Sequence, residues 1–367
     1  MTGVSSQSNN GSLECDVGYD VAKVSELAST LSEKNWEWGT QAQALLELHD
    51  PDVAVFSSAA FPQDKIPKRE TSATDYARSK ISTDGNTLTP AGVSAADPAS
   101  LGVSAILLGQ SSSSDYAEAA TRQADELLNN VPRYDNDAIS HRYDATMLWS
   151  DFIYMAPPFL AYQGVATNDL SLLRESVRQI RLYREVLQDT STGLWTHIAG
   201  ARTDEGTWST GNGWVLYGIA RVFATISHWG PSSNWQEEKQ ELILYAREII
   251  DGAIDVGPEA ESGLLRNYIT SSFPEAAGTA IIAASIYRWA VLAPEVFANS
   301  KYLNWADERR AAVVRSVGAD GVLSPVVNPY DYLADAPLDG PSPEAQSFGV
   351  MLYAAYCDCE RAGYCSR

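Results

Sequence analysis

Small-residue, apolar helices recur along this chain at intervals of about one helical hairpin. Asp97-Pro98-Ala99-Ser100, Phe273-Pro274-Glu275-Ala276 and Ser342-Pro343-Glu344-Ala345 each open one, and further starts fall near 157 and 212, so successive starts lie 55 to 69 residues apart. Proline at the first helical position costs nothing, because the N–H it lacks has no partner there. A helix apolar on every side must be buried, whereas the stretches between these starts are charged on one face and apolar on the other, as surface helices are. With a helix over 38–48, six buried helices alternate with amphipathic ones. Six such hairpins closing into a ring give an all-α (α/α)6 barrel, a six-hairpin toroid with its inner helices parallel. Every inner N-terminus then opens at one end, where Trp36, Trp38, Asp97, Asp151, Asn212, Glu275 and Glu344 converge. Six partly positive helix ends also suit an anionic ligand.

In chain order, apolar spacing predicts the surface helices over 17–31, 115–128, 169–187, 235–250 and 303–317, with a short one near 74–81. The stretch 51–90, rich in Ser, Thr, Asp and Pro, is a long excursion of the kind that often carries function. No Pro/Gly/Ser-rich linker or charge run divides the chain, so a flexible polar tail over 1–16 and a single domain over 17–367 are expected.

Lys and Arg number 26 against 47 Asp and Glu, a formal charge of −21, which argues against a nucleic-acid or anionic-membrane partner. Ten Trp and eighteen Tyr exceed what packing needs and are common where sugar faces are bound. The cysteines, Cys15, Cys357, Cys359 and Cys365, sit at the two ends, while His49, His141, His197 and His228 are scattered, so neither a metal nor another cofactor is expected. An even count confined to the termini reads as two disulfides from an oxidising compartment, one joining Cys15 to the C-terminal segment. With the Asn10-Gly11-Ser12 sequon this predicts a secreted, extracellular protein. The chain shows no signal peptide or membrane-length apolar run, and would then be a mature form with an added start methionine. A monomer or weak homo-oligomer is expected.

Two stretches carry the chemistry. Trp149-Ser150-Asp151-Phe152-Ile153-Tyr154-Met155 sets one carboxylate among apolar and aromatic residues, where burial should make it hold its proton more tightly and act as an acid. Trp208-Ser209-Thr210-Gly211-Asn212-Gly213-Trp214 opens a helix with two indoles around Gly-Asn-Gly, suited to a sugar ring stacked on tryptophan and hydrogen-bonded by an amide, with the glycines allowing close approach of a ligand. Asp97 before Pro98 also reads as a helix N-cap, and Glu275 and Glu344 as favourable first-turn acids. His49 and His228 read as structural.

The pattern Trp-x-Asp-x-x-Tyr-Met-Ala-x-Pro-Phe-Leu-Ala from Trp149 to Ala161, Gly-Leu-x-x-His from Gly193 to His197, Trp-x-x-Gly-Asn-Gly-Trp from Trp208 to Trp214, and Ser-Pro-Glu-x-Gln-x-Phe from Ser342 to Phe348 resembles the unsaturated rhamnogalacturonyl hydrolases, glycoside hydrolase family 105. The likeness runs in order over roughly 36–356 and suggests a secreted, fungal-type member. It implies a six-hairpin barrel acting on the unsaturated uronic acid that polysaccharide lyases leave at an oligosaccharide end. The implied chemistry is protonation of C4 of the C4=C5 enol ether, addition of water at C5, and opening of the hemiketal to release the sugar. By this resemblance Asp151 is the acid and then the base for water, and Asp97 the second catalytic aspartate, contacting ring hydroxyls. His141, Met155, His197, Trp208 and Trp214 fall at substrate-contacting positions, and Trp38, Asn212 and Glu344 join them as expected substrate contacts. Thr210 departs from the pattern, since relatives commonly carry arginine there, and losing a guanidinium removes a carboxylate fork. Arg142 and Arg202 are the replacements considered. Two other functions compete: a hydrolase of saturated uronic-acid glycosides using two carboxylates, Asp151 with Asp97 or Glu344, and a sugar-binding protein on an inactive barrel.

Overall fold

The computed structural model of the protein describes residues 15–271 and 273–365. Among them the principal helices are α1 (Val21–Leu31), α2 (Asn35–His49), α3 (Ser72–Ala77), α4 (Gly102–Ser111), α5 (Ser114–Asn129), α6 (Pro157–Thr167), α7 (Leu170–Leu187), α8 (Ser209–His228), α9 (Gln236–Val256), α10 (Ala276–Leu292), α11 (Ser300–Arg315) and α12 (Pro343–Arg361). Helical turns Asp97–Leu101 and Phe152–Met155 lead into α4 and α6. The even-numbered helices form an inner ring, each packed on the next, and the ring closes where α12 meets α2. The odd-numbered helices lie outside, with α1 against α12, α3 against α2, α5 against α4 and so on round to α11 against α10. This is the (α/α)6 barrel.

Composition explains the alternation. Every residue of α10 from Ala276 to Ala290 is buried, as is α6 from Pro157 to Val165. In α7, by contrast, the buried apolar positions Leu173, Val177, Ile180, Tyr183 and Leu187 fall on one stripe, while Arg174, Glu175, Arg178, Arg181, Arg184 and Glu185 lie off it. Gly213 lets inner helices touch: a Cβ there would come within 2.1 Å of Ile281 Cγ2 on α10.

Two short antiparallel ladders decorate the open end. β1 (Met147–Trp149) pairs with β2 (Ile198–Gly200), Trp149 opposite Ile198, and β3 (Leu265–Arg266) pairs with β4 (Pro274–Glu275).

The first part of the excursion after α2 does not border that end, although its last part returns there, with Thr89 Oγ1 accepting from Asn35 Nδ2 at 3.4 Å in the first turn of α2. Val55 O accepts from His228 Nδ1 at 2.8 Å, Asp64 O accepts from Trp229 Nε1 at 3.1 Å, and Phe56 packs edge-on against Tyr217. Residues 51–66 therefore cover the C-terminal end of the inner helices, over a buried network in which Arg288 binds Glu47 and Asp358. Apolar residues within this otherwise polar stretch explain the placement: Val53, Ala54, Val55 and Phe56 are all buried.

Cys15 is bonded to Cys357 and Cys359 to Cys365, so the first bridge ties the segment ahead of α1 to α12, as expected. The Asn10 sequon and nearly all of the polar tail lie outside the described residues. Among the described residues no helix is long and apolar enough to cross a membrane.

Candidate active site

Five of the six inner-helix starts deliver a side chain to one pocket. Trp36 comes from the first turn of α2, Asp97 from the turn before α4, and Asp151 and Met155 from the turn before α6. Trp208 precedes α8, and Glu344 lies in the first turn of α12. His141, Trp149, His197, Pro329 and Tyr332 complete the wall of this cavity of about 90 Å³. Trp149 and Tyr332 also border an outer cleft of about 450 Å³ that carries Arg142 and Arg202.

The β1–β2 ladder brings Asp151 and His197 together. Ser150 N donates to His197 O at 2.9 Å, continuing the pairing by one residue, and His197 Nε2 then lies 3.4 Å from Asp151 Oδ2. Ser150 Oγ donates to the same oxygen at 3.1 Å. Burial alone would raise the Asp151 carboxyl, but the His197 contact, reinforced by His141 and the residue's own backbone, outweighs it and the pKa lies below the ordinary carboxylate value. This corrects the expectation of a tightly held proton. The imidazole moves the other way: burial lowers His197, yet Asp151 and Asp204 raise it above its usual value.

Asp97 behaves as Asp151 was expected to. It is the first residue of the 3₁₀ turn rather than its N-cap, which is Ala96, and its carboxyl faces His141 Nε2 at 3.5 Å. Burial, opposed by the Ser94 hydrogen bond and aided by the charge of Asp151, pushes it up to about 7. His141 stacks on Trp149, the ring planes 14° apart, and burial pushes it down to about 4, so it is neutral. Glu344 accepts from Trp36 Nε1 at 3.1 Å while its other oxygen is buried without a hydrogen-bond partner. Burial first, then the charges of Asp151 and Glu37, hold its proton well above the carboxylate range.

Asp97, Asp151, His141, Met155, His197, Trp208 and Glu344 thus share the pocket. Three other expected contacts lie elsewhere. Trp38 turns away, its Nε1 donating to Ser32 O at 2.9 Å under the Lys80 ammonium; Trp36, two residues earlier on the other side of the helix, takes the wall. Asn212 spends its amide on the backbone, accepting from Trp195 N and donating to Trp195 O and Trp208 O. Trp214 is fully buried between Tyr154 and Phe348. The glycines flanking Asn212 serve neighbouring protein rather than a ligand: a Cβ on Gly211 would meet Ser150 Oγ at 2.6 Å. Glu275 caps its own helix, accepting from Ala277 N and Gly278 N. Among the described residues no group of three His, Cys, Asp or Glu is arranged to hold a metal.

The model of glycosyl hydrolase family 88 matches residues 23–331. The chain belongs to that family. It is 24% identical to the unsaturated rhamnogalacturonyl hydrolase YesR of Bacillus subtilis over 229 residues, which is 58% of this chain and 60% of YesR, so the match spans less than two thirds of that relative. Its fold matches a possible member of family GH105 from Salmonella enterica serovar Paratyphi A at a TM-score of 0.72, with 17% identity over 92% of each chain. A family 105 glycoside hydrolase of C. acetobutylicum superposes with a TM-score of 0.69 and 15% identity, covering 92% of this chain and 98% of that one.

In this glycosyl hydrolase, sequence reasoning missed Tyr332, Asp204 and Tyr268 and did not weigh Trp149 as a wall. Tyr332 meets His197 edge-on at 4.5 Å from the irregular segment between α11 and α12, and its carbonyl accepts from Asn267, which also accepts from Trp208 Nε1. Two tyrosines in a structureless connection that long were the available signal. For Trp149 the signal was strand alternation, which puts it on the same face as Asp151.

Proposed function

We propose that the protein removes a terminal 4,5-unsaturated uronic acid from lyase-generated oligosaccharides by hydrating the C4=C5 enol ether. The observation that carries this reading is Asp151, a pocket carboxylate held against His197 with aromatic walls around it: one group placed to give a proton and take one back. Asp151 protonates C4, then removes a proton from the water that adds at C5. The hemiketal opens and releases the remaining sugar. Asp97, neutral up to about pH 7, donates to ring hydroxyls, and Trp208 supplies a ring face.

Thr210 cannot replace the arginine of relatives, because it is buried and donates to Glu275 at 3.2 Å. Of the two guanidiniums considered, Arg142 is paired with Asp144, and Arg202 is exposed on the outer cleft. We assign that cleft to the rest of the oligosaccharide. The two disulfides favour an oxidising, extracellular setting, in keeping with a secreted, fungal-type member acting as a monomer or weak homo-oligomer. Nucleic acid and membranes are not among the partners proposed.

Loss of the ultraviolet absorbance of the conjugated uronate, measured on lyase products of rhamnogalacturonan, ulvan and glucuronan in parallel, tests the reading and identifies the substrate. One observation favours a second: a neutral Asp97 beside an ionised Asp151 is the division of labour of a two-carboxylate glycosidase. Release of uronate from saturated glycosides, with unsaturated ones untouched, selects it. Ligand bound without turnover selects the sugar-binding protein.

A further inference from the structure

We propose that Asp204, braced by Tyr268, acts through His197 to keep at the Asp151–His197 contact the proton that Asp151 hands to the substrate. This rests on the hydration reading above for the proton's destination, and on hydrogen-bond inventory for its location.

Backbone pairing fixes both supporting residues. Asp204 exchanges backbone hydrogen bonds with Ile198, the residue after His197, at 3.0 and 2.9 Å. Tyr268 forms a bridge with Trp208, and Ile269 N donates to Thr207 O at 3.2 Å. Asp204 is therefore held beside the imidazole rather than left to swing on a loop.

The hydrogens can then be counted. Tyr268 OH donates its single hydrogen to Asp204 Oδ2 at 2.6 Å, so toward His197 its oxygen can only accept. His197 Nδ1 faces that oxygen at 2.9 Å and Asp204 Oδ2 at 3.1 Å. With two acceptors before it, Nδ1 must carry a hydrogen. The tautomer is fixed, and Nε2 is the atom turned to Asp151 Oδ2. A neutral imidazole with hydrogen on Nδ1 would set its Nε2 lone pair against a carboxylate, which is repulsive. One proton therefore belongs to the pair, on Nε2 or on Oδ2. At 3.4 Å it is not locked into a short hydrogen bond; Nε2 has no hydrogen-bond partner.

The surroundings keep the pair's proton sensitive to Asp204. His197 is buried, with the rings of Trp208 and Tyr332 each centred 4.5 Å away and Trp149 at 5.4 Å. Water that would screen the charges is largely excluded. The ionisable groups facing it are Asp151 from the turn before α6, Asp204 from the segment after β2, Tyr268 from the segment after β3, Tyr332 from the connection before α12, and His141 across Trp149. Burial keeps His141 neutral, so the two carboxylates dominate and both favour an imidazolium. An ionised Asp151 alone has nothing to donate; paired with His197 it can draw the proton across as the enol ether binds. Asp204 is a positioning residue, since it reaches substrate only through the imidazole.

Asp204→Asn in the full chain tests this, because the amide can still accept from Tyr268 and Nδ1–H but lacks the charge. The expected result is an unchanged KM, a lower kcat, and an alkaline limb of the kcat–pH profile moved down by about one pH unit or more. Tyr268→Phe moves the limb less. NMR titration of the His197 imidazole, assigned with His197→Gln, is expected to shift in the same direction. A folded Asp204→Asn whose alkaline limb and imidazole titration both match wild type overturns the proposal. If the wild type consumes no unsaturated substrate, the hydration reading fails, while the imidazole titration still decides whether Asp204 governs the proton.

Discussion

Thr210 Oγ1 donates to Glu275 Oε1 across 3.2 Å, joining the first turn of α8 to the N-cap of α10. Position 210, where the family resemblance implies a guanidinium, here neutralises nothing. Glu275 is buried with two backbone N–H donors and this hydroxyl, and burial pushes its carboxyl up to about 7.

That carboxyl and its neighbours should make stability fall as pH rises. A carboxyl whose folded pKa exceeds its unfolded value contributes fully below the unfolded value and loses the contribution as pH climbs through the folded one. Glu275 and Asp97, each raised to about 7 from 4.5 and 3.8, lose theirs between about pH 4 and 7, and Glu344, raised well above 4.5, acts in the same direction. Each full shift corresponds to roughly 3–4 kcal/mol as an upper bound. Thermal unfolding should give a lower Tm at pH 8 than at pH 5, with Glu275→Gln flattening the slope; a Tm that rises over this range contradicts the assignment.

Asp151→Asn should keep the fold and cost activity at least the ~100 to 10,000-fold typical of acid–base groups. The substituted side chain fits the same space beside Ser150 and His197. Circular dichroism and turnover of the unsaturated substrate measure the two halves of this prediction, and near-wild-type turnover would refute the assignment.

Trp214 and Trp208 should separate stability from binding. Trp214 is enclosed by Tyr154 and Phe348, so Trp214→Ala should lower stability by about 3–5 kcal/mol, while Trp214→Phe, which refills most of the space, leaves KM unchanged. Trp208→Phe keeps a ring but loses the hydrogen bond to Asn267 that orients it; here KM should rise. A Trp214→Phe enzyme with KM raised as much as that of Trp208→Phe would return Trp214 to the site.

The contrast shows what the sequence could and could not convey. Burial periodicity and proline-marked starts were enough to reveal the ring, because α6 and α10 are apolar all round and α7 is not. They also sent Asp97, Asp151 and Glu344 to one end. Direction within a turn was not legible: Trp36 and Trp38 sit two residues apart on opposite sides of α2, and nothing local says which faces the axis. Asn212 and Trp214 look like ligand groups only until Trp195, Tyr154 and Phe348 are known to surround them. The direction of the Asp151 shift depends on His197, 46 residues away and joined to it by a three-residue ladder. Local apolar context predicted the burial and missed the partner.

The two disulfides should differ in what they hold. Cys15–Cys357 spans 342 residues and Cys359–Cys365 only 6, so a chain-entropy estimate gives about 6 kcal/mol for the first and about 2 kcal/mol for the second. Position favours the same order. The long bridge lies where α1 packs on α12, the seam at which the chain's two ends meet, and Cys15 O there accepts from Tyr353 OH at 2.7 Å. The short bridge closes a turn at the end of α12, far from the pocket-end turn carrying Glu344. Replacing Cys15 and Cys357 together by serine should therefore lower the unfolding free energy read from denaturant titration more than replacing Cys359 and Cys365, by about 3–4 kcal/mol, and leave kcat little changed below the unfolding transition. Equal losses from the two double variants would mean that α1 is held on α12 by packing alone, with Val24 and Ala28 doing what the bridge was credited with.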